Sequence, residues 1–156
     1  MPQVIVTRSI HAPIDLVFDT VADIRNFSKV QPQIVRCEFL TDVHVGVGTR
    51  FRETRLMHGK EATTELEVTE YVPNDRVRLV ADSHGTVWDT VFTVAEESGH
   101  TTLTMTMDAR SYKLVSKLLN LLIMGMVKKA VEQDLDRVKE YCESNCSEAG
   151  DSPSHV

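Results

Sequence analysis

Apolar and polar residues alternate at the start of the chain, and then the period changes. Val4–Ile10 alternates with period two, which predicts a strand. Ala12-Pro13 then opens a helix, because proline loses no hydrogen bond at the first helical position. Asp23 can cap a second short helix that runs through Phe27 and ends before Pro32. The first third of the chain is therefore predicted as one strand and two short helices.

The middle of the chain is rich in β-branched residues and is divided by turn signals. Between Gln33 and Ala109 these signals are Gly46 with Gly48, His58-Gly59-Lys60, Pro73-Asn74-Asp75, His84-Gly85 and Ser98-Gly99-His100. Six strands fit between them, which with the first strand makes seven. Because the connections are short, we expect an antiparallel sheet with one buried face. A long helix, roughly Tyr112 to Cys142, follows, and the small polar residues from Glu143 to Val156 predict a disordered tail.

Five short segments, in this order and spacing, resemble a known superfamily. They are Ile10-His11-Ala12-Pro13 with Val17-Phe18, Val21-Ala22-Asp23 with Phe27 and Pro32, Gly46-Val47-Gly48-Thr49-Arg50, Glu70-Tyr71-Val72-Pro73, and Asp134-Leu135 with Val138-Lys139. The chain resembles a polyketide cyclase/dehydrase-type member of the START-like (SRPBCC) superfamily. The resemblance implies an α+β helix-grip fold, a seven-stranded curved antiparallel sheet with two short helices and a long C-terminal helix. It also implies a cavity for a small apolar molecule in a domain of residues 1–143, with 144–156 as a polar tail.

Charge and cysteine content narrow the classes of function. The 23 acidic and 17 basic residues give a net charge of -6, which would repel a phosphate backbone, so nucleic acid is not an expected partner. Three cysteines form no disulfide framework, and the N-terminus lacks the order of a signal peptide, so we expect a cytoplasmic protein. The longest uncharged run, Leu118–Val127, is half the length of about 20 residues that a membrane span needs.

No motif predicts a metal or a cofactor. The six histidines have no ligand spacing, and Cys142 and Cys146, one helical turn apart, have no partner motif nearby. Gly46-Val47-Gly48 precedes a strand rather than a helix and lacks the lysine of a phosphate-binding loop, so its glycines are interpreted as turn residues. We therefore expect no metal site and no cofactor.

Strand parity predicts which side chains face the cavity, because successive residues of a strand point to opposite faces. On the strand that carries Trp88, Thr90, Phe92 and Val94 the bulky even positions face inward, which puts Asp89 outside. The predicted ligand-binding residues are Phe51, Glu53, Leu66, Leu79, Trp88, Thr90, Phe92, Met105, Met107, Leu118 and Leu122.

The strand from Thr49 to Met57 carries the charged candidates. We take Phe51, Glu53, Arg55 and Met57 as inward rather than Arg50, Arg52, Thr54 and Leu56. Glu53 and Arg55 would then orient the polar end of a ligand or act as acid and base, unless they reach solvent or simply neutralise each other. Glu53, Arg55 and Tyr112 are the catalytic candidates, and Arg8 is a further polar candidate.

The long helix presents two stripes. Met124, Val127, Val131, Leu135, Val138 and Cys142 stay apolar and are predicted to pack on the sheet. The opposite stripe is apolar at Leu118 and Leu122 but charged further on, so something must cover it. The candidates are the loop before the second strand, the cavity mouth, a dimer contact or a transient membrane contact.

Three functions remain open at this point. The first is binding of a small hydrophobic ligand, such as a lipid, quinone or polyketide, by a monomer or weak homodimer without chemistry. The second is a polyketide cyclase or dehydratase. The third is a protein-interaction domain that uses the helix or the terminal Ser154-His155-Val156, which fits the pattern that a PDZ groove accepts.

Overall fold

Seven strands and three helices are present in the described part of the chain, in the predicted order. The structure is a computed structural model that describes residues 3–83, 85–111 and 114–154, and of residues 114–123 and 147–154 it describes the backbone. The elements are β1 (Gln3–Ile10), α1 (Ile14–Ala22), α2 (Ile24–Val30), β2 (Ile34–Phe39), β3 (Arg50–Met57), β4 (Lys60–Val72), β5 (Arg76–Ser83), β6 (Thr86–Glu97), β7 (His100–Ser111) and α3 (Leu114–Ser154).

All seven strands form one antiparallel sheet in the order β1-β7-β6-β5-β4-β3-β2. Together with the long α3 this is the α+β helix-grip fold, as predicted. Two of the expected turns show why their residues were informative. His58-Gly59 and Ser98-Gly99 each have positive φ at both positions, which is the type I′ geometry that matches the twist of a hairpin.

The two short helices begin where the sequence indicated, with a shift of one residue. Pro13 precedes α1 as its extended N-cap rather than occupying the first helical position. The side chain of Asp23 accepts a hydrogen bond from the backbone N–H of Arg25, which confirms its predicted role as the cap of α2.

The core lies between the concave face of the sheet and the helices. The apolar stripe of α3 is fully covered at Val131, Leu135, Val138 and Cys142. The short helices contribute Phe18, next to Tyr71, and Phe27, whose ring meets that of Phe92 edge to face with centroids 6.0 Å apart. No helix within the described residues is long and apolar enough to cross a membrane.

The helix α3 is longer than predicted. We expected it to end near Cys142, but it continues to Ser154. The division into a domain of residues 1–143 and a polar, disordered tail of residues 144–156 stays a prediction. Cys146 packs against the core one turn after the fully buried Cys142, and Glu143 accepts a hydrogen bond of 2.9 Å from the backbone N–H of His11. These contacts hold the helix to the rest of the domain as far as Cys146.

A bulge in β4 sets the faces of the neighbouring strands. The register shifts between Val68 and Glu70, so Val68 and Tyr71 both face the core. Glu70 instead meets Arg78 on the outer face, where Arg78 also binds Asp89. Asp89 thus faces outward as predicted, but the guanidinium covers it and lowers the pKa of its carboxyl.

Candidate functional site

The register of the sheet places several of the predicted ligand-binding residues next to one another on the concave face. Leu79 lies opposite Thr90, and Thr90 lies opposite Met107. Phe92 lies opposite Met105 in the next row, and Phe51 lies opposite Leu66 on the neighbouring pair of strands. The pattern of alternation therefore places residues from five strands in one surface beneath α3.

Coverage of this surface is uneven. Phe51, Thr90, Phe92 and Met105 are buried among their neighbours. Four other apolar residues that were predicted to bind the ligand are only half-buried, and so are two residues of α3. This half-buried group consists of Leu66, Leu79, Trp88, Met107, Met124 and Val127. Because native cores are packed without gaps, apolar side chains left incompletely covered on a concave face mark where a ligand could add contacts.

A charged cluster lies beside the apolar surface, between β3 and α3. The Nε of Arg55 donates to Oε1 of Glu53 at 2.6 Å, and its Nη1 donates to Oδ2 of Asp134 at 3.0 Å. Since Asp134 belongs to α3, the inward orientation chosen for Glu53 and Arg55 agrees with these contacts. Met57, expected to point inward too, is largely exposed because the strand ends there at the hairpin turn.

Asp134 is the most deeply buried acid of the cluster. Its side chain is 7% exposed, and its Oδ1 has no hydrogen-bond partner within the described structure. Burial raises the pKa of this carboxyl, although Arg55 opposes the shift. Arg137 lies 3.9 Å from Oδ1, and the Gln31 side chain donates to the backbone carbonyl of Asp134 at 2.9 Å.

From the sequence, Asp134 was recognised only as part of a segment that resembles the superfamily. Its position in the candidate site was not predicted. A signal was present, because Asp134 follows Val131 by three residues and precedes Val138 by four, which puts it on the edge of the buried apolar stripe. An acid at such a position needs a partner from the opposing surface.

Arg55 and Cys37 are ionisable too, and their environments on this face differ. Burial by itself would lower the pKa of Arg55, but Glu53 and Asp134 outweigh it, so the pKa is raised and the guanidinium stays charged. Cys37 lies opposite Glu53 in the β2–β3 register, and burial followed by the charge of Glu53 raises the pKa of its thiol. A thiol of this kind is a poor nucleophile at neutral pH.

Arg8 contacts α3 from the edge strand β1, far from β3 in the strand order of the sheet. Its Nε donates to Asp136 at 2.6 Å, and Glu132 lies 4.0 Å away. The helix is thus held by one arginine from β1 and one from β3. Arg8 is therefore separate from the cluster that contains Glu53.

Some predicted residues lie outside what the structure describes. Tyr112 is among them, as are the side chains of Leu118 and Leu122 and the terminal residues His155 and Val156. Within the described residues, no group of three or more His, Cys, Asp or Glu side chains is arranged to hold a metal.

Comparison with known proteins supplies the family. Residues 1–143 match the family described as "Polyketide cyclase / dehydrase and lipid transport". The chain belongs to this family. A search of curated proteins gave no match for this family member.

Solved structures share the fold of this polyketide cyclase/dehydrase family member at low sequence identity. TTHA0849 from Thermus thermophilus superposes with a TM-score of 0.76 at 20% identity, over 92% of this chain and 99% of that one. A START superfamily protein from Mycobacterium smegmatis gives 0.68 at 18% identity over 94% and 98%. DynU16, from the dynemicin biosynthetic locus, gives 0.68 at 19% identity over 92% of this chain and 48% of that one.

Proposed function

We propose that this chain binds one small hydrophobic molecule, such as a lipid, a quinone or a polyketide, between the sheet and α3, and that it releases the molecule unchanged. The observation that carries the proposal is the incomplete coverage of Leu66, Leu79 and Met107 on the concave face, together with that of Met124 and Val127 of α3. A ligand in this position would remove apolar surface from water, at about 25 cal/mol for each Å² covered.

The polar residues of the site support binding more than chemistry. Arg55 cannot give up a proton at neutral pH, because a guanidinium stays charged in proteins. Glu53 is hydrogen-bonded to it, so neither side chain acts independently. In this proposal the cluster orients a ligand, and the protein is a cytoplasmic monomer or weak homodimer that loads its ligand by diffusion or by a transient membrane contact.

A probe titration with a cavity-filling variant tests the proposal. N-phenyl-1-naphthylamine, a neutral apolar dye, should bind the wild-type protein with a stoichiometry of one. Met107→Trp should weaken this binding at least tenfold by occupying the space beside Leu79. The matched control is Ile5→Trp, on the outer face of β1, where Ile5 is 56% exposed. Equal dye affinity in both variants would contradict the proposed site.

A second candidate, a cyclase or dehydratase, is favoured by one observation, the buried Asp134 whose carboxyl pKa is raised by burial. A carboxyl of this kind is suited to donate a proton. An enzyme of this class should convert a reactive poly-β-ketone, and Asp134→Asn should reduce the rate by about 100-fold or more. Product analysis by mass spectrometry, with Glu65→Gln as the control, separates this candidate from the carrier.

A further inference from the structure

The charges beside the apolar surface indicate which polar end a ligand can carry. Arg55 is shared by two carboxylates, with 2.6 Å to Glu53 and 3.0 Å to Asp134. The three side chains therefore carry a net charge of −1. Arg137, 3.9 Å from Asp134, brings the sum to zero. Neither the three side chains alone nor the three together with Arg137 carry a net positive charge that would attract an anion.

The hydrogen-bonding capacity of the cluster is also unequal. Glu53 uses Oε1 for the guanidinium, and a carboxylate has two oxygens with about four acceptor positions. Asp134 adds Oδ1, which lacks a hydrogen-bond partner in the described residues and is itself buried. Among the buried side-chain nitrogen and oxygen atoms of the described residues, this oxygen is the one without a partner, so the unmet need at the site is that of an acceptor, which calls for a donor.

The cluster is close enough to the apolar surface to contact the same molecule. Glu53 lies directly opposite Thr64 in the β3–β4 register, and Leu66 is the next residue of β4 on that face. Diagonal neighbours of this kind are about 7–8 Å apart at their Cα atoms, within reach of one small ligand.

We infer that the ligand of this site is an uncharged amphipathic molecule whose polar end is a hydrogen-bond donor, such as an alcohol or a phenol, held by Glu53 and Asp134, and that carboxylates and phosphates are rejected. The inference rests on the proposed function and specifies its ligand class. A donor hydroxyl satisfies the unpaired Asp134 oxygen and the free acceptor positions of Glu53, whereas an anion would meet two carboxylates in a partly dehydrated site, where like charges repel strongly.

Three chains of equal length test the inference by displacement of N-phenyl-1-naphthylamine at pH 8. Dodecanol carries a donor, methyl dodecanoate is neutral without a donor, and dodecanoate is an anion. The wild-type protein should bind dodecanol at least tenfold more tightly than dodecanoate, with the ester between them. Dodecanoate binding as tightly as dodecanol would overturn the inference, and an ester equal to the alcohol would overturn the requirement for a donor.

Charge-removing variants identify the residues responsible. Glu53→Gln leaves Arg55 with one carboxylate and should strengthen dodecanoate binding at least tenfold while weakening that of dodecanol. Asp134→Asn should act in the same direction, which gives a second test if one variant folds poorly. Glu65→Gln removes the same charge on the outer face, where Glu65 pairs with Arg52, and should change neither affinity. Unchanged selectivity in both site variants would refute the assignment.

The same binding experiments distinguish a failure of the proposed function from a failure of the inferred ligand class. If neither the dye nor any of the three chains binds, the apolar site itself is absent, and the inference falls with it. If the dye binds and the chains rank in another order, the site stands and only the ligand class is wrong.

Discussion

The two arginines that hold α3 should contribute very differently to stability. Arg55 and Arg8 are similarly exposed, at 21% and 25% of their side chains. Their partners differ, because Glu53 and Asp134 are 12% and 7% exposed, whereas Glu132 and Asp136 are 43% and 59% exposed. Replacing each arginine by methionine keeps the aliphatic stem and removes only the charge and the donors.

The expected magnitudes follow from the burial of the partners. Removing one member of a fully buried ion pair costs roughly 3–5 kcal/mol, because it leaves an uncompensated charge. Since Arg55 keeps some contact with water, we expect Arg55→Met to lower the free energy of unfolding by about 2–4 kcal/mol. Arg8→Met should cost about 1 kcal/mol or less, the usual value of an exposed pair.

Urea denaturation at pH 7, monitored by circular dichroism, measures both losses. The stability lost in Arg55→Met should shrink as the pH is lowered, because the Asp134 carboxyl, whose pKa is raised by burial, then takes up a proton and no longer needs a cation. Combining Arg55→Met with Glu53→Gln and Asp134→Asn should restore most of the loss at pH 7. Equal losses for the two single variants, or a deficit that grows in acid, would refute this account of the cluster.

Three further predictions concern packing, protonation and the end of α3. Leu103→Ala, at a fully buried position, should lower the free energy of unfolding by about 2–5 kcal/mol. Leu79→Ala should lower it by about 1–2 kcal/mol, because Leu79 is only half-buried. Equal losses in urea denaturation would contradict the incomplete coverage of Leu79. The pKa of Asp134 is raised by burial and that of Asp89 is lowered by its hydrogen bonds to Arg78. Stability linked to Asp134 is therefore present below its usual pKa and lost as the pH rises through the raised value, whereas that linked to Asp89 is present above its usual pKa and lost as the pH falls through the lowered value. Relative to wild type, Asp134→Asn should gain stability with rising pH and Asp89→Asn should gain with falling pH, and parallel curves would refute both directions. Hydrogen exchange should show the amides of residues 143–146 protected at least about tenfold, since Cys146 packs on the core; exchange at the rate of an unfolded peptide would favour the tail that the sequence predicted.

The fold could be predicted because its signals are local. Alternation fixed the inward positions of the strands, and Ser98-Gly99 and His58-Gly59 marked tight turns that the structure forms with positive φ. The bulge between Val68 and Glu70 could not be predicted this way, since one extra residue changes parity without leaving a clear mark in composition.

The candidate site was predictable only in part. The alternation along β3 predicted that Glu53 and Arg55 face inward. Their partner Asp134, however, lies on α3, 79 residues after Arg55. Such a contact depends on how the helix is placed across the sheet, which a local pattern does not encode. For the same reason the sequence did not predict that Glu143 and Cys146 contact the rest of the domain.

The most direct test of the central claim is where an apolar ligand contacts the protein. With methyl-labelled protein and N-phenyl-1-naphthylamine, intermolecular nuclear Overhauser effects should connect the dye to the methyl groups of Leu66, Leu79 and Met107 beneath α3. The chain also offers an apolar surface elsewhere, at Val43 and Val47 in the loop before β3, where Val47 is 61% exposed. Contacts from the dye to these two valines, without contacts to the three residues beneath α3, would contradict the account.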